Sequence, residues 1–251
     1  MIYVCIPSHD EAPTVGLLLW KIRQVFTSFA REYQLLVADD GSTDATLEIL
    51  EPYSRVLPLT IIRHQHRQGY ASTVEELLRT AVQRTDRPKR DCAILMHADF
   101  THGPSFLPDL VRRIDSGADL VIGEGALRGE PSRARRLIRR WGPLLLRRRV
   151  GIPGVADPLS GFLAVRLVTL RNAFRDGSTP FLTTEGWAAN AELVGRAARS
   201  ARRIETVKTV ERHDLRQRPT RVQTWEAARE LWRARRVLRL PAMPPRDKVA
   251  S

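Results

Sequence analysis

The chain has 251 residues, of which 43% are hydrophobic and 27% are charged. A disordered chain has too few apolar residues to bury, so this composition excludes disorder and leaves room for one large domain or two small ones. Lys and Arg number 41 against 28 for Asp and Glu, a net charge of +13 that favours phosphates, nucleic acid or an acidic membrane surface as partners.

Neither a membrane span nor a secretory signal is expected. No apolar run approaches the ~20 residues that a spanning helix needs, and the opening MIYVCIPSHD lacks a basic lead before a long apolar stretch. The two cysteines, Cys5 and Cys92, lie in apolar, strand-like runs. We therefore expect buried thiols in a reducing compartment, and two cysteines are too few for a structural zinc site.

Strands and helices alternate through the first half of the chain. Short apolar runs predict strands, and apolar residues that recur every three or four positions predict amphipathic helices. The predicted strands are Ile2–Ile6, Gln34–Ala38, Leu57–Arg63, Cys92–Met96 and Asp119–Gly123. The predicted helices are Thr14–Ala30, Thr43–Tyr53 (capped by Ser42 or Thr43), Tyr70–Arg84 and Ser105–Ser116. This alternation predicts an α/β fold with a mostly parallel central sheet and helices on both faces.

The pattern changes after Gly123. A basic amphipathic segment is followed by a Gly/Pro loop and then by further strands and helices. The predicted elements are a basic helix at 133–149, a strand at Gly161–Val165, a short helix ending at Phe174, a helix at Glu185–Ser200, a strand at Ile204–Lys208 and a helix at Val222–Leu238. We expect one domain over 1–212, a basic amphipathic helix within 213–240 and a flexible tail at 241–251.

Three polar segments follow predicted strands, namely Ile6–Glu11, Ala38–Asp44 and Met96–Pro104. The carboxyl ends of parallel strands meet at one edge of a sheet, where ligands collect, so these segments predict one site. Adjacent Asp39 and Asp40 repel each other unless backbone N–H groups, a nucleotide base or a metal bind them. An ordinary Asx turn with a helix cap explains that pair equally well.

Together these motifs resemble the family 2 glycosyltransferases, and they are most similar to the dolichol-phosphate and polyprenyl-phosphate mannosyltransferases. The matching motifs, in the family's order, are Pro7 to Glu11, Asp39 to Asp44, Gly69, Ala98 to Pro104, Asp157 to Phe162 and Trp187 to Glu192. The resemblance covers roughly 2–212. It implies the GT-A (nucleotide-diphospho-sugar transferase) fold, with a nucleotide-sugar-binding half at 1–123 and an acceptor half at 124–212.

The resemblance also implies roles on the donor side. Residues Pro7, His9 and Glu11 would line the nucleotide pocket, and Asp39 or Asp40 would contact the base or ribose. Asp99 would act in catalysis by helping to hold Mn²⁺ or Mg²⁺ against the donor diphosphate, and Ala98 of the same motif would contact the substrate. A hard cation held by carboxylate neutralises the charge that develops on a diphosphate leaving group.

Two histidines depart from the family pattern. His97 stands where the family has the first carboxylate of an Asp-x-Asp pair. It either ligates the cation, in which case its nitrogen favours Mn²⁺ over Mg²⁺, or it packs and leaves Asp99 and waters to hold the ion. His9 replaces the usual aromatic residue, so base recognition differs from the family's, or His9 is a loop residue that faces water.

The acceptor side departs further. Positions where the mannosyltransferases carry phosphate-binding Arg hold Gly125 and Leu163 here. Arg128, Arg166 and Arg212 are candidates to replace them, and of these Arg212 matches a position where relatives carry Arg. Since Arg binds phosphate bidentately, this change leaves two acceptors open, polyprenyl phosphate and the hydroxyl group of a sugar or small molecule.

The two acceptors differ in whether they need a base. An alkyl phosphate is largely dianionic at neutral pH and needs positioning and counter-charge, whereas a hydroxyl needs a general base. The candidate bases are Asp157 first and Glu192 second. Each has a structural alternative, a loop cap for Asp157 and a helix-surface ion pair for Glu192. A relative that binds nucleotide sugar without catalysis is a third possibility.

Basic helices suggest how the protein meets its surroundings. The segment 133–149 holds eight arginines around an apolar stripe with Trp141, as in helices that lie among lipid headgroups. Trp225 and Trp232 lie seven residues apart on one helix face, so this helix is a second surface anchor, a dimer contact or a packed lid. We expect peripheral attachment to the cytoplasmic face of a membrane, through acidic lipids or a membrane partner protein; the alternative for 133–149 is a core helix with a solvated Arg face. Nucleic acid is not expected, because the Arg clusters lack interleaved stacking aromatics.

Overall fold

The computed structural model describes residues 1–128, 141–146, 149–212 and 224–240. The strands are β1 (Ile2–Ser8), β2 (Tyr33–Asp39), β3 (Leu59–Arg63), β4 (Cys92–Leu95), β5 (Leu120–Arg128), β6 (Leu163–Arg166) and β7 (Ile204–Arg212). The helices are α1 (Ala12–Ser28), α2 (Thr46–Ser54), α3 (Tyr70–Arg84), α4 (Leu107–Asp115), α5 (Leu167–Ala173), α6 (Gly186–Ser200) and α7 (Thr224–Val237). Residues 141–146 and 149–150 are also helical.

These strands form one seven-stranded sheet in the order β3-β2-β1-β4-β6-β5-β7. The pairs β1–β2, β1–β4, β2–β3 and β5–β7 are parallel, and β6 runs antiparallel to both of its neighbours. The predicted α/β architecture, with a mostly parallel sheet, is therefore confirmed. The reversal at β6 places the end of that strand at the opposite edge of the sheet from the ends of β1, β2 and β4.

Each face of the sheet packs on its own hydrophobic core, because successive strand residues point to opposite faces. In β1, Tyr3 and Cys5 belong to the core under α3, α5, α6 and α7, whereas Val4 and Ile6 belong to the core under α1, α2 and α4. Both cysteines are buried, as predicted. Burial raises the pKa of Cys92 to about 12, so this thiol stays protonated and unreactive at neutral pH.

Helix α2 begins later than predicted. The expected cap at Ser42 or Thr43 is wrong, because the helix starts at Thr46 and Asp44 accepts a hydrogen bond from the Thr46 backbone N–H at 3.0 Å. The intervening backbone is held by another loop instead, since the Asp10 carboxylate accepts from the backbone N–H of Thr43 at 2.6 Å. Tertiary contacts thus convert the predicted first helical turn into part of a loop.

The basic segments are described in part. Of the helix predicted at 133–149, residues 141–146 and 149–150 are described and helical, and the remainder lies outside the described residues. Helix α7 packs on the main core through its buried Leu231 and Ala234, together with Leu238. The predicted tail at 241–251 lies outside the described residues. Among the described residues, none of the helices combines the length and the hydropathy that a membrane span requires.

Candidate active site

A cleft of about 630 Å³ opens at the edge of the sheet where β1, β2 and β4 end. The segments that follow these strands form its floor, and the first residues of α3 and α6 and one residue of α7 form its walls. The predicted site residues that line it are Pro7, His9, Glu11, Asp40, His97, Ala98 and Asp99. The sheet therefore brings the three strand-end motifs together, as the parallel topology requires.

The segment after β1 is fixed by hydrogen bonds to the segment after β2. The His9 Nδ1 lies 2.8 Å from the carbonyl oxygen of Asp40. A carbonyl only accepts, so Nδ1 carries the proton and donates. The Glu11 backbone N–H donates to Thr46 Oγ1 at 2.8 Å, and the Glu11 carboxylate accepts from Thr14 Oγ1 at 2.9 Å. His9 and Glu11 thus face the cleft from a loop that is anchored on both sides.

Asp10, between these two residues, links the same loops in the other direction. Its backbone has a φ of 49°, a left-handed conformation that residues with a side chain rarely adopt. This conformation is supported because the Asp10 backbone N–H donates to Ser42 Oγ at 2.8 Å and its carboxylate accepts from Thr43 and Asp44. The two loops therefore form one wall of the cleft.

Asp39 and Asp40 take different positions. Asp39 is buried, does not line the cleft, and accepts a hydrogen bond from Ser42 Oγ. Asp40 lines the cleft, and its carboxylate accepts from His64 Nδ1 at 2.9 Å and from the backbone N–H groups of Gln68 at 2.7 Å and Gly69 at 3.0 Å. Burial by itself raises the pKa of Asp40, but these hydrogen bonds outweigh it and hold the pKa below its usual value.

His97 packs against Tyr70 and Gly161. Its ring stacks on the Tyr70 ring, with centroids 5.5 Å apart and an interplanar angle of 11°. The Tyr70 hydroxyl donates to Asn190 Oδ1 at 2.7 Å and lies 3.5 Å from His97 Nε2. A Cβ at Gly161 would lie 1.9 Å from His97 Nε2, so only glycine leaves room for the imidazole there. The Nε2 edge of His97 therefore points into the protein, toward Gly161 and Tyr70.

Asp99 is the buried carboxylate at the end of β4. It lines the cleft with 7% of its surface exposed, and its Oδ1 accepts from the Thr101 backbone N–H at 2.9 Å. In the described ranges no group of three or more His, Cys, Asp or Glu side chains forms a complete metal site. One carboxylate with a neighbouring imidazole still fits a divalent cation, since such ions are often held by one or two carboxylates together with substrate phosphates.

Of the predicted bases, neither Asp157 nor Glu192 lines the cleft. Asp157 Oδ1 accepts from the Leu159 backbone N–H at 3.1 Å, as a loop cap does. Glu192 is 1% exposed and accepts from the backbone N–H groups of Thr183 at 2.8 Å and Thr184 at 3.0 Å. It also pairs with Arg196, whose Nη2 lies 3.0 Å from its Oε1. These contacts argue for a structural role of Glu192 inside the protein.

The arginines expected on the acceptor side separate into two groups. Arg128 and Arg212 are register partners at the ends of the parallel strands β5 and β7, and their side chains lie outside the described part of the chain. Arg166 is at the far edge of the sheet, because β6 is antiparallel. Its guanidinium donates to the carbonyl oxygens of Ile114 at 2.6 Å and Ala118 at 2.9 Å, so Arg166 is not available to an acceptor phosphate in the cleft.

The structure also places unpredicted side chains in the cleft, namely Arg67, Gln68, Tyr70, Glu185, Asn190 and Glu230. Asn190 belongs to a motif that the sequence resemblance covered, but no signal assigned it a role. Glu185 accepts from the Ala71 backbone N–H at 3.2 Å, at the start of α3. Partial burial raises the pKa of Glu185 in spite of this hydrogen bond. Since more than a hundred positions separate Glu185 from α3, no local pattern indicates their contact.

Curated relatives match part of this chain. Dolichol-phosphate mannosyltransferase of Pyrococcus furiosus is 29% identical over 170 residues, which cover 65% of this chain and 45% of that protein. Undecaprenyl-phosphate 4-deoxy-4-formamido-L-arabinose transferase of Edwardsiella ictaluri is 29% identical over 123 residues, which cover 47% of this chain and 35% of that protein. The chain therefore spans less than half the length of these curated relatives.

Solved structures share the fold. Glucosyl-3-phosphoglycerate synthase from Mycobacterium tuberculosis, in complex with Mn²⁺, uridine-diphosphate-glucose and phosphoglyceric acid, superposes with a TM-score of 0.59 at 19% identity, covering 96% of this chain and 81% of that chain. TarS from S. aureus in complex with UDP superposes with a TM-score of 0.57 at 19% identity, covering 82% of this chain and 57% of that chain. These similarities confirm the GT-A architecture. The family model of Glycosyl transferase family 2 matches residues 3–194, and the chain therefore belongs to this family.

Proposed function

We propose that the protein transfers a hexose, mannose or glucose, from a nucleotide-diphosphate sugar to polyprenyl phosphate. The observation that carries this proposal is the cleft in which the segments after β1, β2 and β4 meet. Two relatives named for transfer to dolichol phosphate and undecaprenyl phosphate support the choice of acceptor. We further propose that the reaction inverts the anomeric configuration and uses Mn²⁺ or Mg²⁺.

The donor side follows from the residues of the cleft. His9 and Glu11 would contact the nucleoside on one side, while Asp99 and His97 would hold the cation at the end of β4. The cation would stabilise the diphosphate as it leaves. Asp99 and His97 together offer the mixed oxygen and nitrogen donors that Mn²⁺ accepts.

The transfer step needs little proton chemistry. An acceptor phosphate oxygen would form a bond to the anomeric carbon as the bond from that carbon to the diphosphate oxygen breaks, and the electron pair leaves with the diphosphate. An alkyl phosphate is largely dianionic at neutral pH, so positioning replaces a general base. This fits a cleft in which neither Asp157 nor Glu192 is a lining residue.

A hydroxyl acceptor is the second candidate. The positions where the resemblance places phosphate-binding arginines hold Gly125 in β5 and the fully buried Leu163 in β6. Arg166 is engaged at the far edge of the sheet. The two positions that correspond to the family's phosphate-binding arginines therefore carry no cation in this chain, and this is the observation that favours a sugar or small-molecule hydroxyl as acceptor, with Asp157 as the base.

The test separates the acceptors. Radiolabelled GDP-mannose and UDP-glucose are incubated with Mn²⁺ or Mg²⁺ and a polyprenyl phosphate, and label is measured in the organic phase. Transfer that Asp99→Ala abolishes and Asp109→Ala preserves supports the proposal, because Asp109 is an exposed carboxylate on α4. Label in a water-soluble product, with a large rate loss in Asp157→Ala, supports the hydroxyl acceptor. No transfer together with no nucleotide binding contradicts both.

We also propose peripheral attachment to the acidic cytoplasmic face of a membrane. The exposed apolar residues are Trp141 and Leu144 in the helical residues 141–146 and Trp232 in α7. Close by in the chain, Arg149 donates to the carbonyl oxygen of Arg235 in α7 at 3.2 Å. Each Lys or Arg near an acidic leaflet contributes about 1 kcal/mol to binding. These two segments therefore combine exposed apolar groups with cationic charge.

Sedimentation with vesicles tests this attachment. We expect the protein to bind vesicles that contain phosphatidylglycerol and not vesicles of phosphatidylcholine alone. Trp232→Ser should weaken binding severalfold, whereas Trp20→Ser on α1 should not, although Trp20 is 43% exposed and Trp232 49%. Equal loss in the two variants would contradict the assignment of this surface.

A further inference from the structure

His64, at the end of β3, is held between two carboxylates. Its Nδ1 lies 2.9 Å from Asp40 Oδ1 and its Nε2 lies 2.6 Å from Glu76 Oε2 on α3. The His64 side chain is 4% exposed and that of Asp40 6%, so the first contact is almost dry, whereas Glu76 is 43% exposed. Glu76 does not line the cleft, and Asp40 does.

These contacts specify the charge of His64. An ionised carboxylate oxygen only accepts hydrogen bonds, so both ring nitrogens have to donate, and an imidazole donates from both only when it is protonated. Burial alone lowers the pKa of His64, but the hydrogen bonds to Asp40 and Glu76 outweigh it and raise the pKa above its usual value. The result is a buried imidazolium with a carboxylate on each side.

The same carboxylate of Asp40 shapes a wall of the cleft. It accepts from the backbone N–H groups of Gln68 and Gly69, and both of these residues line the cleft, together with Arg67. The loop also packs directly on Gly41, which has a φ of 63° and where a Cβ would lie 2.7 Å from the Arg67 backbone nitrogen. Asp40 can hold this loop only if its own orientation is fixed, and His64 is the side chain that fixes it.

We propose that His64 is a positioning residue. In its protonated form it links Glu76 on α3 to Asp40, and Asp40 in turn binds loop 65–69. The nucleotide side of the cleft is thereby held in its binding shape. This inference rests on the proposed function for the identity of the ligand. Sequence offers no sign of it, because Asp40, His64 and Glu76 belong to three different elements and to no single motif.

The proposal has a pH dependence with a defined sign. The groups that face His64 are Asp40 from the loop after β2 and Glu76 from α3. Glu185 in turn interacts electrostatically with Asp40 across the cleft. Because the pKa of His64 is raised, its stabilisation of loop 65–69 is complete below about pH 6.5 and is lost as pH rises through the folded-state pKa. A neutral imidazole has only one N–H to donate. Either Asp40 or Glu76 then faces the lone pair of a ring nitrogen, and loop 65–69 is held less firmly.

The test measures UDP and GDP binding by calorimetry from pH 6 to 9, together with amide hydrogen exchange of residues 65–69. In the wild type, we expect nucleotide binding to weaken and exchange to speed up across one alkaline transition. Glu76→Gln removes a charge outside the cleft and should move this transition to lower pH. His64→Gln should abolish the transition and weaken binding about tenfold at pH 6, the effect expected from one lost charged hydrogen bond.

His66→Gln is the matched control, since His66 is an exposed histidine in the same loop. It should reproduce the wild-type profile. An unmoved transition in Glu76→Gln, or wild-type behaviour of His64→Gln in both measurements, would overturn the proposal. If the wild type binds no nucleotide, the proposed function fails, while the pH dependence of exchange at 65–69 in the same variants still decides the role of His64.

Discussion

Glu192 is the residue for which sequence and structure lead to the most different expectations. If it were a catalytic base, its removal would lower the rate and leave the fold intact. In the structure its carboxylate closes the loop at Thr183 and Thr184 and pairs with Arg196 inside the protein. We therefore expect Glu192→Ala to be a stability variant first.

The expected size follows from what the substitution leaves behind. Removing one member of a buried ion pair costs about 3–5 kcal/mol, because the remaining charge stays buried without its main partner. For a chain of this length, each kcal/mol of lost unfolding free energy lowers the melting temperature by about 2–4 °C. Glu192→Ala should thus lower the melting temperature by about 6–20 °C. The double variant Glu192→Ala/Arg196→Ala should recover part of this loss, because it removes the stranded charge.

Thermal unfolding and transfer activity, both measured well below the melting transition, distinguish the two roles. Glu51→Ala is the matched control, since Glu51 is an exposed glutamate on α2, and it should change neither quantity. If Glu192→Ala lowers the melting temperature by less than 2 °C but loses most of the activity, the structural role is refuted and Glu192 is a catalytic residue.

Two further substitutions test the packing around the cleft and the far edge of the sheet. Gly161→Ala places a Cβ 1.9 Å from His97 Nε2, so it should displace the imidazole, cost about 1–3 kcal/mol of stability and weaken Mn²⁺-dependent nucleotide binding in calorimetry. Gly103→Ala, whose nearest contact would be an ordinary 3.4 Å, should bind normally; equal binding by both variants would contradict the placement of His97. Arg166→Ala should lower the melting temperature by about 4–8 °C through its lost backbone contacts, with no change in the KM for any acceptor. A raised acceptor KM at an unchanged melting temperature would instead put Arg166 at the acceptor site.

Much of the cleft could be predicted from the sequence because its chemistry is carried by local segments. Each polar segment directly follows an apolar run, and a parallel sheet brings the carboxyl ends of its strands to one edge. The grouping of His9, Asp40 and Asp99 around one cleft needed only that rule. Local patterns misjudged the start of α2, because the Asp10 carboxylate, more than thirty residues away, binds the backbone N–H groups of Thr43 and Asp44 and holds them in a loop before the helix.

The sequence by itself determined the α/β class, the buried cysteines and the set of strand-end motifs, since apolar periodicity and motif order are properties of neighbouring residues. Only the tertiary structure decided that β6 is antiparallel, which moves Arg166 to the far edge of the sheet. It also decided that Glu192 forms a buried ion pair with Arg196 and that His64 lies between two carboxylates. These outcomes depend on how segments that are far apart in the sequence pack together. Such packing produces no periodic pattern among neighbouring residues, so the sequence alone does not reveal it.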